Sequence, residues 1–126
     1  MNRISLLLLL LIFSNCAKEA NCSNFKTGEF RYANKSITVK ITRNDSIQIE
    51  TNIKDGVVFT STIEWVSDCK YILTFTNIEN LPDDSSIYLG KKIYCNIEKI
   101  KGNRFEVHAV STATDMNEMI EFVKVK

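Results

Sequence analysis

From Phe25 to the C-terminus, apolar and polar residues alternate with a period of two, and short turn signals interrupt the alternation. A period of two sends successive side chains to opposite faces of an extended chain, so this pattern predicts strands and leaves no room for a helical core. The first run covers 25–33. The second, 36–43, sets Ile37, Val39 and Ile41 against Thr38, Lys40 and Thr42. The third places Ile47, Ile49 and Ile53 on one face, expected to be the covered one, and Gln48, Glu50 and Asn52 on the other. The fourth, 57–67, carries Phe59, Ile63 and Trp65 in one register. The fifth, 70–78, carries Tyr71, Leu73 and Phe75. The sixth, 91–100, carries Ile93, Cys95 and Ile97, and the seventh, 104–112, carries Phe105, Val107 and Ala109. The last run, 117–126, has apolar residues on both faces, a pattern that also admits an opening helical turn. Asn44-Asp45, Asp55-Gly56, Asp68-Cys69 and Gly102-Asn103 mark tight turns, and Asp-Gly tolerates the positive φ of a hairpin turn. The longest connection, 79–90, holds the single proline, Pro82.

Eight strands joined by short turns predict an all-β antiparallel meander. Its apolar face needs a cover, and closure into a small up-and-down barrel or a strongly curled sheet supplies one while removing the exposed edges. A flatter sandwich is the alternative. Phe30, Phe59, Trp65, Tyr71, Phe75, Phe105 and Phe122 are the expected inward aromatics, as candidates for a pocket lining or for the core. A barrel of this size is either filled by its own side chains or holds one small ligand. Short strands and many bulky groups favour the filled core, with Trp65 as its anchor.

The first fifteen residues read as a targeting segment. A short basic start precedes a hydrocarbon run from Ile4 to Phe13, which is too short to cross a bilayer and fits a signal peptide. Phe13-Ser14-Asn15-Cys16 forms a lipobox, predicting a diacylglycerol on the Cys16 thiol and cleavage before it. A plain signal peptide cut near Ala17 or Ala20 is the alternative; either way the chain is exported. Residues 16–24 are then a lipidated tether and 25–126 one β domain. The chain has 16 Lys plus Arg against 15 Asp plus Glu. Loss of Arg3 with the leader leaves the charges balanced, which disfavours nucleic acid as a partner.

Of four cysteines, Cys16 goes to the anchor. Cys22 precedes the first strand, Cys69 lies in a turn and Cys95 lies mid-strand on the inward face. A Cys22–Cys69 disulfide with Cys95 free is therefore favoured over three unpaired thiols. His108, the single histidine, falls on the solvent-facing side of its strand, and no cysteine spacing suggests zinc. Asp83 and Asp84 lie in the long connection without calcium-loop spacing. No nucleophile, base and acid come together in the pattern, so neither a catalytic set nor a cofactor or metal site is expected.

Asn24-Phe25-Lys26-Thr27-Gly28-Glu29-Phe30 resembles the first-strand signature of lipocalin-type barrels, with Phe30 where Trp is usual. Cys22, that first strand, Asp45–Glu50, Trp65 with Ser67–Tyr71, and Gly90–Ile93 together resemble small uncharacterised envelope lipoproteins of the Bacteroidetes group. Some of those carry the transferred name DNA topoisomerase IV, an activity that needs a catalytic Tyr within a large DNA-gripping machine. The resemblance implies location and fold, not mechanism. Asp45-Ser46-Ile47 is similar to the O-glycosylation motif of exported proteins in that group, which makes Ser46 a candidate acceptor. Ala17 after the anchor, rather than Asp, resembles the outer-membrane-sorted case. The expected function is a non-enzymatic, lipid-anchored binding or accessory module for a small apolar ligand or another envelope protein. A purely structural lipoprotein is the alternative.

Overall fold

The computed structural model describes residues 21–111 and 114–126. The targeting segment, Cys16 and the start of the tether lie outside the described residues. Strands β1 (Gly28–Tyr32), β2 (Val39–Arg43), β3 (Ile47–Asn52), β4 (Val58–Trp65), β5 (Lys70–Glu79), β6 (Lys92–Lys101), β7 (Arg104–Ser111) and β8 (Asn117–Lys124) follow one another as an antiparallel meander. β8 pairs back onto β1 through Phe30↔Lys124, Arg31↔Val123 and Tyr32↔Phe122, and the sheet closes as a barrel. Every strand gains two neighbours, and the exposed edges disappear. The alternation in the sequence is thus the alternation of barrel interior and exterior. The last run is a strand from Asn117 on, with no opening helical turn.

Closure explains one glycine. Glu29 donates its backbone N–H to the Lys126 carbonyl at 2.9 Å, and Val125 donates to Glu29 at 2.8 Å. Gly28 sits at this seam with φ near 131°, and a Cβ there would collide with the Lys126 carbonyl. Only glycine fits both the backbone angle and the close approach.

The N-terminal segment closes one end of the barrel. Cys22–Phe25 forms a 3₁₀ turn, started by the Asn21 side chain accepting from the Ser23 N–H at 3.1 Å. Phe25 is 2% exposed, and its ring lies 4.3 Å from that of Phe105. A disulfide joins Cys22 to Cys69, so the plug is tied to the β4–β5 turn. Cys95 is free and buried. Residues 22–24 therefore belong to the folded body rather than to the tether, because the disulfide and Phe25 together draw them under the barrel.

One expectation is reversed. Ile47, Ile49 and Ile53 lie outside, with Ile53 72% exposed, while Gln48 is 3% exposed. The register is the cause. Arg43 pairs with Gln48 and Ile41 with Glu50, and directly opposed residues of an antiparallel pair share a face. With Ile41 inside, Arg43, Gln48 and Glu50 must be inside too.

The disulfide spans 47 positions of sequence. In the chain-entropy picture such a loop stabilises by about 4 kcal/mol, and native disulfides of small domains by about 2–5. A Cys22→Ser, Cys69→Ser double variant is expected to lose about 2–4 kcal/mol in urea unfolding followed by circular dichroism. A loss below about 1 kcal/mol would show that the plug holds without its covalent tie.

Candidate functional site

The interior is divided along its length. At the plugged end, Phe25, Phe30 and Phe105 pack ring against ring, Phe30 meeting Phe105 edge-on at 5.6 Å. Toward the other end lies a cavity of about 270 Å³. Ile41, Leu73, Ile93, Val107 and Ile120 wall it, and Tyr88, Lys91, Thr114 and Met116, from the β5–β6 and β7–β8 connections, stand at its mouth. The expected filled core is therefore found in one half of the barrel only. The reason is side-chain size: Cys95, Ala109 and Ser111 occupy the inward positions of β6 and β7 in the open half, and small residues there leave space that larger ones would fill.

The seven expected aromatics separate accordingly. Phe59, Tyr71, Phe75 and Phe122 line the cavity. Phe59 and Phe75 meet at 5.5 Å, and Phe122 meets Tyr32, another lining residue, at 4.9 Å. Phe30 and Phe105 fill the plugged end, and Trp65 packs beside it. Trp65 is only partly buried, with its ring 4.7 Å from Tyr71 and the Lys26 ammonium 5.1 Å from its centre. Its buried Nε1–H has no acceptor among the described residues.

A polar cluster forms the partition between the two halves. Arg43 is 8% exposed. Its Nη1 donates to the Phe25 carbonyl at 2.7 Å, Nε and Nη2 donate to Gln48 Oε1 at 2.9 and 2.6 Å, and Nη2 donates to the Tyr71 hydroxyl at 3.2 Å. The guanidinium also lies 4.7 Å from the Tyr71 ring, 5.0 Å from Phe30 and 5.9 Å from Trp65, distances at which a cation is drawn to an aromatic face. Gln48 Nε2 in turn donates to Glu50 Oε1 at 3.1 Å. Among the described residues, no carboxylate lies within ion-pair distance of Arg43.

Glu50 is half-buried and lines the cavity. Burial pushes its carboxyl above the ordinary carboxylate range; the charge of Arg43 and the Gln48 hydrogen bond pull the other way without cancelling it. Burial likewise raises the Tyr32 and Tyr71 phenols, and the Cys95 thiol to about 12. Burial thus favours the uncharged forms of both phenols and of the Cys95 thiol.

The remaining candidates lie outside this site. His108 is on the outer wall, where Nε2 meets Asn117 Oδ1 at 2.6 Å. Asp84 accepts from the Ser86 N–H at 2.9 Å and starts the short 3₁₀ turn Ser85–Ile87, and this bond holds its carboxyl below the usual range. Ser46 is exposed at the β2–β3 turn, its N–H donating to Asn44 Oδ1 at 3.0 Å. Among the described residues, no three His, Cys, Asp or Glu side chains gather as a metal would require. Arg43, Gln48 and Glu50 are the site residues that the sequence pattern passed over. The signal was present: the alternation Ile37, Val39, Ile41 continues to Arg43. Compared with known proteins, the chain matches no family model, no curated sequence and no solved structure.

Glu50 generates a pH-dependent prediction. A carboxyl harder to ionise in the barrel than in the unfolded chain favours the fold fully below the ordinary value of 4.5. That contribution is lost as pH rises through the raised value. Glu50→Gln removes the loss. Differential scanning calorimetry is expected to find the variant more thermostable than wild type at pH 7.5, with the gap shrinking toward pH 4.5. A gap that widens on acidification would refute the assignment.

Proposed function

We propose that this protein is a lipid-anchored module of a bacterial cell envelope that binds one small, mostly apolar molecule inside its barrel. The observation that carries the reading is the cavity of about 270 Å³, apolar on its walls and polar at its floor. Concave apolar sites with a few convergent polar groups are what small-molecule pockets look like. A cavity of roughly 150 Å³ takes a benzene ring, so this one suits a ligand of about ten non-hydrogen atoms.

The reading is of binding rather than catalysis. The floor holds a guanidinium bonded within the fold, the Glu50 carboxyl, two phenols and a thiol whose protonated form burial favours, so its sulfur is not an activated nucleophile. The lipobox at Cys16 supports the anchor, and Ala17 supports retention in the outer membrane. The balance of charge weighs against nucleic acid as a partner. An anchor at Cys16 would join the plugged end, since the Cys22–Phe25 turn closes that end. The intervening residues reach roughly 20 Å when extended. On this reading the mouth, at the opposite end, opens away from the bilayer that holds the lipid.

Two measurements test the reading. A polarity-sensitive apolar dye is expected to brighten with wild-type protein. With Ala109→Leu, which pushes a larger side chain into the cavity, the brightening should fall at least tenfold while circular dichroism is unchanged. Equal dye binding by both proteins, or by neither, would argue against the cavity as the site. Metabolic labelling with a fatty-acid analogue is expected to mark wild type and not Cys16→Ser; label retained by the variant would place the anchor elsewhere.

A further inference from the structure

The floor of the cavity has its charges balanced and one acceptor to spare. Arg43 directs its donors to neutral acceptors inside the fold: the Phe25 carbonyl, Gln48 Oε1 and the Tyr71 hydroxyl. Gln48 is used at both ends, accepting from Arg43 and donating to Glu50 Oε1 at 3.1 Å. Glu50 stands last in this chain, and that bond is the one hydrogen bond its side chain makes among the described residues. Its second carboxyl oxygen is left without a donor, beside a cavity whose walls are hydrocarbon.

Charge decides what can sit there. The groups within electrostatic reach of Glu50 are Arg43 from β2, Gln48 from β3, Tyr32 from β1 and Cys95 from β6, and Glu118 from β8 reaches Tyr32 in turn. Among the described residues Arg43 is the one cation in reach of Glu50, and burial favours the neutral forms of the Tyr32 phenol and the Cys95 thiol. Arg43 and Glu50 are relayed to each other through Gln48, so the floor carries no net charge when Glu50 is ionised. A ligand carboxylate pushed down to Glu50 would set two negative groups together away from water. A ligand ammonium would leave an uncompensated positive charge beside Arg43. Burying an unpaired charge costs far more than one hydrogen bond returns. A neutral head with a donor adds the missing hydrogen bond and no charge. Bonds to charged acceptors are the stronger kind.

We propose that the ligand is an uncharged, mostly apolar molecule whose buried end carries a hydroxyl group, and that this hydroxyl donates to the free oxygen of Glu50 at the cavity floor. The inference rests on the cavity being a binding site and specifies what it selects. Glu50 is the specificity residue, Arg43 and Gln48 position it, and the hydrocarbon walls take the rest of the molecule. Lys91, from the β5–β6 connection, also lines the cavity. A fatty acid held there by its carboxylate, with its tail inward, is the arrangement this proposal opposes.

The test compares four probes of similar length: 1-octanol, 1-methoxyheptane, octanoate and octylammonium. Each is titrated at pH 7.5 into the intact protein preloaded with a displaceable apolar dye. The ether matches the alcohol in size and accepts hydrogen bonds without donating one. The alcohol is expected to bind at least tenfold tighter than each of the other three. In Glu50→Met, which keeps the bulk and removes the acceptor, the alcohol and the ether should converge. Tightest binding by octanoate or octylammonium, or equal binding of alcohol and ether to wild type, would overturn the hydroxyl assignment and leave the cavity as a site. Binding of no probe, and of no dye, would overturn both. The wild-type series decides the question alone if the variant fails to fold.

Discussion

The guanidinium of Arg43 ties the interior together. It bonds to the N-terminal plug at the Phe25 carbonyl, to β3 at Gln48 and to β5 at Tyr71, and it stands against the rings of Phe30, Trp65 and Tyr71. A buried cation without a carboxylate in contact is tolerable only when its donors are met. Here four hydrogen bonds and three aromatic faces meet them. A lysine would bring the same charge with a compact head, and could not reach these acceptors from one rigid plane. Strands on different sides of the barrel are thus fixed to a single group, and that group divides the packed half from the open one.

The rest of the interior follows from this partition. Below Arg43, Phe25, Phe30 and Phe105 exclude space, and the Cys22–Cys69 disulfide keeps the plug from leaving. Above it, Cys95, Ala109 and Ser111 stand where larger residues would have completed the core. A chain selected only to pack could place leucine or phenylalanine at these positions and gain stability from each methylene buried. It carries small residues there, and a carboxyl whose ionisation the site resists. Both features lower stability, and both are what the proposed ligand would require.

The fold was legible from the alternation and the turns: all eight strands and their order follow from period-two runs cut by Asp-Gly, Gly-Asn and similar breaks, and of the expected barrel, curled sheet or sandwich the closed barrel is found. The disulfide was legible from where Cys22, Cys69 and Cys95 fall relative to those runs. What the alternation could not deliver was the face of β3. Three isoleucines on one side of a strand look like a core face, and residue type outweighed register in that reading. Pairing reverses it, because Ile41 and Arg43 draw Glu50 and Gln48 inward. The open half of the barrel was hidden for a related reason. Aromatic content foretold bulk, but the cavity depends on where small residues fall relative to one another across β6 and β7. Trp65 stood out by size, yet it packs beside the plugged end rather than at the site. Chemistry in this protein sits where polar residues break an apolar face.

Glu50 lines the cavity, and the protein around it desolvates its carboxyl. A titration of the Glu50 side-chain carboxyl carbon by ¹³C NMR, assigned by its loss in Glu50→Gln, measures this directly. The midpoint is expected above the ordinary 4.5. A midpoint at or below 4.5 would mean that water or a charged partner stabilises the carboxylate, and would contradict the account.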